Sequence, residues 1–476
     1  MTLTKIYYII RVRLLKTARG FFMKEKFLHR MQTILGDEYG NFVASLERDN
    51  VRGLRANRFK CDKAHFLSLI DMPTSPIGYV DNGFILNSTE PIGTSPLHHA
   101  GMIYMQDPGA MSAVAGVNIE PDFKILDMCA APGGKSSQAA EFLGDEGFIL
   151  SNEYVPKRAK IIVSNFERLG IKNAIVTSLS SGDIAKMYED VFDLVIVDAP
   201  CSGEGMFRKS DEAIECWSEE NVLACSKRQL EIIENAKSTV RRDGYLLYST
   251  CTYSLEENEM VVDEFLERNP EFELIPVNDS VKGVTRDGIS FDGCKSQNLS
   301  LTRRFYPHIS EGEGQFIALM RRNGGERIGR INYKDAAHSL SRTQSEIVKA
   351  FFKENMLIPP IGRLGSVGDN IVLITHDMPI PQHSVFMSGV MVGEIRGNML
   401  VPSHQFFSCY GHFFKSREII LKGDERIERY LKGEEIEARL ATRGWCAILY
   451  EGVTVGGGKC SDGKIKNHYP KGLRNK

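Results

Sequence analysis

The stretch FKILDMCAAPGGKSSQ, Phe123–Gln138, decides the fold. FKILDM is a short apolar run of the kind that forms a buried strand. Cys129, Ala130, Ala131, Pro132, Gly133 and Gly134 then make a loop of small residues, and a helical pattern starts around Lys135. Small residues let backbone approach a ligand closely, and the free amides of a helix start favour an anionic group. A phosphate loop is excluded at one position, because G-x-x-x-x-G-K-S needs Gly where Cys129 stands. The G-x-G-x-x-G dinucleotide pattern is absent as well.

Outward from this loop, residues 101–322 alternate apolar strands with helical patterns. The candidate strands are FKILDM (123–128), GFILS (147–151), AIVT (174–177), FDLVIVD (192–198), GYLLYS (244–249) and QFIALM (315–320). Between them lie SSQAAEFL, then PKRAKIIVSNFERLG with Pro156 in its first turn and Gly170 as its stop, then a helix from about Glu219 to Val240. Near-continuous apolar strands separated by helices imply an α/β fold: a Rossmann-like, doubly wound, mostly parallel sheet covered on both faces. Such sheets bind ligands at the carboxyl ends of their strands. Glu153 follows the second strand, where an acid can accept hydrogen bonds from a ribose diol. Adenosine without a phosphate, carrying a charged amino-acid tail, describes S-adenosylmethionine. On spacing alone a methyl-donor site is favoured over a nucleotide-binding reductase and over a purely structural turn.

DAPCSGEG, Asp198–Gly205, ends the fourth strand, and YSTCTYS places Cys251 at the end of the fifth. Neighbouring strand ends of such a sheet can bring both thiols to one pocket. A single cysteine is usually packing; two at strand ends, one beside a strand-end acid, form a rarer coincidence. Carbon 5 of cytosine is a poor nucleophile. A thiolate adding to carbon 6 makes carbon 5 enamine-like and splits a hard step into two. A carboxyl group near ring nitrogen 3 supports the charge that develops there, and a second polar group assists removal of the carbon-5 proton.

The chain has 476 residues, enough for two to four domains, with 42% hydrophobic and 25% charged residues and a net charge of −2. That balance gives no whole-molecule argument for nucleic acid. Locally, six Lys/Arg face one acid, Asp462, from Lys459 to the C-terminus, and with Tyr469 they point to a polyanion or to a solvated tail. Arg52, Arg55 and Arg58 crowd the GLRAN segment. Ten cysteines form no C-x-x-C pair, so neither a disulfide framework nor a metal site is expected, and reduced thiols suit a cytoplasmic protein. No apolar run reaches the roughly 20 residues of a membrane helix. Residues 1–22 read as an unstructured extension, with Met23 an alternative start. Helices are expected from Glu25 to Leu35 and Tyr39 to Leu46. The division is 1–22, 23–100, 101–322, an intermediate region 323–384, and a β-rich end 385–476.

The motifs DMCAAPGGKS, DAPCSGEG and STCTYS resemble those of the Sun-domain RNA cytosine-5 methyltransferases. MFRK, YPH at 306–308 and the ending KIKNHYPKGLR resemble the RsmF-type branch, which acts on 16S ribosomal RNA. The resemblance implies a class I methyltransferase core using S-adenosyl-L-methionine, an RNA-binding segment at 23–100 and a PUA-like RNA-binding domain at 385–476. It implies Cys251 as nucleophile, Cys201 as the group assisting product release, and Asp198 as the acid contacting cytosine and cofactor. Cys129–Lys135 match the cofactor loop, Glu153 the ribose acid, and Arg158 a basic residue of the next helix. Where the family often has an Asp near adenine, Ser180 stands, with Asp183 as a substitute. The N-terminal arginines are expected on RNA backbone. The partners implied are ribosomal RNA or the small subunit, with no membrane and no DNA, for a monomer. A transfer-RNA cytosine-5 methyltransferase and a non-catalytic RNA-binding assembly factor remain as alternatives.

Overall fold

The computed structural model describes residues 23–325, 329–439 and 443–475; the expected extension at 1–22 lies outside them. In chain order the central layer comprises β1 (Lys124–Asp127), α1 (Gly134–Ala140), β2 (Phe148–Asn152), α2 (Pro156–Leu169), β3 (Ala174–Thr177), α3 (Ser181–Met187), β4 (Phe192–Asp198), α4 (Glu219–Ala236), β5 (Val240–Thr250), α5 (Glu259–Arg268), β6 (Gln315–Arg322) and β7 (Val385–Ser388). These seven strands lie in the order β6-β5-β4-β1-β2-β3-β7 within a ten-stranded sheet, which Arg303–Phe305, Arg286–Asp287 and Phe272–Leu274 extend beyond β6. Strands β5, β4, β1, β2 and β3 are parallel, while β6 and β7 run antiparallel at the two sides.

Alternate residues of each strand feed opposite faces, as a period of two requires. Leu126, Leu150, Ile175, Val195 and Leu246 pack on one side; Ile125, Ile149, Val176, Leu194 and Leu247 pack on the other. Burying each such side chain stabilises the fold by about 1.5–3 kcal/mol, which is why these runs become central strands. Helix α2 begins at Pro156 and ends at Gly170, whose φ of 78° is the left-handed conformation glycine adopts readily. The chain steps outward through β1, β2 and β3, then returns to the other side of β1 with β4. The resulting switch point lies between β1 and β4, at the carboxyl ends where the small-residue loop and DAPCSGEG emerge.

Several boundaries differ from the sequence reading. Helix α4 stops at Ala236, because Val240 is drawn into the core and pairs with Phe192 as the first residue of β5. The N-terminal sheet (Thr74–Pro76, Gly83–Leu86, Gly53–Ala56, Ile103–Met105, in that order) extends past residue 100; its last strand is too short to show periodicity. Residues 323–384 are more than a connection. They carry the helix Arg342–Asn355, started by a Ser341/Gln344 capping box, and strands of a sheet continuing to Pro402. Strand β7, expected to open the C-terminal domain, instead completes the core sheet beside β3. A further five-stranded sheet is built from Arg417–Ile420, Ile436–Glu437, Gly444–Tyr450, Val453–Ser461 and Lys464–Asn467.

Candidate active site

The loop after β1 is fixed from below. Asp127 is fully buried and accepts a hydrogen bond from the Ser136 hydroxyl at 2.6 Å, tying the strand end to α1. Burial, reinforced by the nearby Asp198, raises its carboxyl to about 7. Gly133, at φ 104°, turns the chain into α1. Asn152, buried at the end of β2, donates to the carbonyls of Met128 and Leu179 and accepts from the Thr177 hydroxyl and the Leu179 amide. One amide side chain thus holds the ends of β1, β2 and β3 in register.

Lys135 Nζ lies 2.8 Å from Asp198 Oδ2, and the Ser249 hydroxyl donates to Asp198 Oδ1 at 2.8 Å. Ser249 stands opposite Asp198 in the parallel β4–β5 pairing. Glu153 is buried; it accepts from the Val155 amide at 3.0 Å and faces Arg158 at 3.3 Å. Arg158 also donates to the Ala131 carbonyl, bridging the ribose-acid position and the loop. Ser180 caps α3 and donates its hydroxyl to Asp183 at 2.7 Å, so the two candidate adenine-side residues form one unit.

The thiols meet. Cys201 and Cys251 are half-buried, with their sulfurs 3.2 Å apart. The hydrogen bond with Cys251, added to burial, pushes the Cys201 thiol well above the usual thiol range, so Cys201 keeps its proton at neutral pH. Gly205 donates its amide to the Cys251 carbonyl at 2.8 Å, and a Cβ there would stand 2.7 Å from that oxygen. Only glycine lets the two loops approach this closely. Cys129 is half-buried as well, with its titration driven upward by desolvation, and it lies in the small-residue loop after β1 rather than beside the pair.

Two expectations are corrected. Arg55 does not face solvent. Its side chain is fully buried, ion-paired with Glu141, and it donates to Gln106 Oε1 at 2.7 Å and to Ser137 Oγ at 2.7 Å, supporting α1 from the N-terminal sheet. A cation on a four-residue strand buried throughout needs an internal partner. Arg52 donates to backbone carbonyls and Arg58 pairs with Asp81. Tyr469 is also core: its hydroxyl is 2.7 Å from His99 Nδ1, in a segment that follows the final strand rather than forming a solvated tail. Sequence reasoning missed Asp127, Asn152, Glu204 and Glu257; the only signal for them was an acid or amide beside each motif. Among the described residues, no helix is long and apolar enough to cross a membrane.

Residues 114–321 match the family described as 16S rRNA methyltransferase RsmB/F. Residues 23–108 match the N-terminal domain of 16S rRNA methyltransferase RsmF, and 420–475 the methyltransferase RsmF PUA domain. Proteins named ribosomal RNA small subunit methyltransferase F are similar: that of Vibrio parahaemolyticus is 27% identical over 95% of this chain and 98% of its own. The Klebsiella pneumoniae protein is 28% identical over 95% and 96%. A solved methyltransferase homologue from Pyrococcus horikoshii is 25% identical with a TM-score of 0.56, covering 68% of this chain and 100% of that one. With the core and both flanking domains matched in order, the chain is similar along its length to the 16S rRNA methyltransferases RsmB/F.

Proposed function

We propose that the protein methylates carbon 5 of a cytosine in small-subunit ribosomal RNA, through a covalent bond between Cys251 and carbon 6. The observation that carries this is the 3.2 Å sulfur pair beside an Asp198 held by Lys135. The donor set fits S-adenosylmethionine: the buried Glu153 carboxylate for a diol, the open backbone at Gly133 and Gly134, and Lys135 with Asp198 for a charged tail. Bound there, S-adenosylmethionine supplies a methyl group on a sulfonium.

Cys251 adds to carbon 6, and the carbon 5–carbon 6 electron pair becomes available at carbon 5 for the new bond to the methyl carbon. Asp198 stabilises the charge that builds at the base edge. Release then requires loss of the carbon-5 proton and departure of the Cys251 thiolate, which restores the double bond. Cys201 suits proton removal for a physical reason. Its high pKa owes most to the hydrogen bond it donates to Cys251, and the charge of Cys251 adds to it. Once Cys251 is bonded to carbon, both contributions vanish and Cys201 becomes easier to ionise. The target base is unpaired or flipped out, since both ring carbons must be reached, at a cost of a few kcal/mol. Ser180 with Asp183 takes the adenine side, Arg158 orients Glu153, and the C-terminal sheet adds RNA contact for a monomer working on ribosomal RNA or the small subunit.

The test uses tritiated methyl donor with ribosomal RNA, naked and assembled, and with transfer RNA. Wild type labels cytosine, Cys251→Ala labels nothing, and Cys201→Ala leaves a gel-stable protein–RNA adduct. An active Cys251→Ala enzyme sinks the proposal. Label appearing only in transfer RNA moves the substrate.

A further inference from the structure

The sulfur pair is not held together by its own contact. Each thiol loop is gripped by a carboxylate from the other. Glu204, three residues past Cys201, accepts from the Thr252 hydroxyl at 2.9 Å, the Tyr253 amide at 3.0 Å and the Ser254 hydroxyl at 2.7 Å. Glu257, six residues past Cys251, accepts from the Ser202 amide at 2.9 Å and from the Ser202 hydroxyl. The Ser202 and Thr252 hydroxyls lie 3.0 Å apart where the grips cross. Gln229 of α4 closes the far side, donating to Glu257 at 2.7 Å and to the Pro200 carbonyl at 2.9 Å. The backbone is therefore fixed on both sides of Cys201.

Both carboxylates are buried, and their donors are neutral amides, hydroxyls and the Trp217 ring N–H. A carboxylate in such a place is costly unless donors replace its water. Burial raises Glu257 to about 7, with Ser202 and Gln229 opposing the shift. A carboxylate this expensive needs a return that an apolar side chain could not give, and the directional donors of the opposite loop supply one.

We propose that Glu204 and Glu257 form a reciprocal clasp, two positioning residues that set the Cys201–Cys251 separation and so couple attack by one thiol to release by the other. Its catalytic consequence rests on the two-thiol mechanism above; its geometric content does not. Attack and release occur at adjacent ring carbons, so one loop slipping by about 1 Å costs on the order of a hundredfold in rate.

The experiment compares full-length wild type, Glu204→Gln, Glu257→Gln and Ser202→Ala. The first readout is oxidation by diamide, which takes two electrons and two protons from the paired thiols, forms the disulfide and is itself reduced to the hydrazine. Peptide mapping follows the Cys201–Cys251 linkage. Both carboxylate variants should pair at least about tenfold more slowly. The second readout is methylation: kcat falls on the order of a hundredfold while KM for the methyl donor is unchanged. Pairing at the wild-type rate in Glu257→Gln overturns the clasp whatever the methylation assay shows. Slowed pairing with a wild type that methylates no RNA keeps the clasp and sinks the RNA mechanism instead. Should a carboxylate variant not fold, Ser202→Ala decides, since it removes one hydroxyl donor and keeps both acids. Unchanged pairing and unchanged kcat in Ser202→Ala overturn the proposal.

Discussion

Lys135 Nζ stands 2.8 Å from Asp198 Oδ2, joining the first turn of α1 to the end of β4 across the switch point of the sheet. The lysine is nearly buried and the aspartate about one-third exposed. Lys135→Met leaves Asp198 held by Ser249 alone. Charge-assisted hydrogen bonds of this kind are worth about 1.5–3 kcal/mol, so methyl-donor affinity should fall about tenfold or more. Calorimetric titration with S-adenosylhomocysteine checks this; unchanged affinity would free Lys135 from the cofactor site.

Arg55 should matter for stability and not for RNA. Removing one partner of a buried ion pair typically costs about 3–5 kcal/mol, and both Arg55 and Glu141 are almost without solvent exposure. Arg55→Leu should therefore lower unfolding stability by roughly that amount in urea titration. RNA affinity of the fraction still folded should stay as in wild type.

Gly205→Ala should impair catalysis without touching either thiol. The added Cβ would sit 2.7 Å from the Cys251 carbonyl and 2.8 Å from Gly314 Cα, so backbone must move. The variant should bind S-adenosylhomocysteine normally and transfer methyl at least about tenfold more slowly, as measured with tritiated donor.

The pH dependence has a defined sign. The Asp127 carboxyl ordinarily titrates at 3.8 and burial raises it to about 7 in the folded protein. The folded state thus binds a proton that the unfolded state releases earlier. The stability from neutral Asp127 is full below about 4 and is lost as pH rises toward about 7. Asp127→Asn mimics the protonated form. Relative to wild type, its stability should rise between pH 4 and 7 and level off above, and denaturant midpoints across that range test it.

By itself the sequence determined the elements. AIVT and FDLVIVD are strands at the residues their apolar runs span, Glu25–Leu35 and Tyr39–Leu46 are helices, and Gly170 stops α2. These are local matters, decided by periodicity and turn chemistry within about 15 residues. The thiols and Asp198 were also legible, because each stands at a strand end. Only tertiary structure decided what those residues face. Arg55 meets Glu141 across 86 positions, Tyr469 meets His99 across 370, and Ser202 meets Glu257 across 55. An arginine or tyrosine reads as surface chemistry until the fold brings it a buried partner. The 3.2 Å between Cys201 and Cys251 likewise comes from β4 and β5 lying side by side. No local signal carries that distance, because it depends on strand order in the sheet.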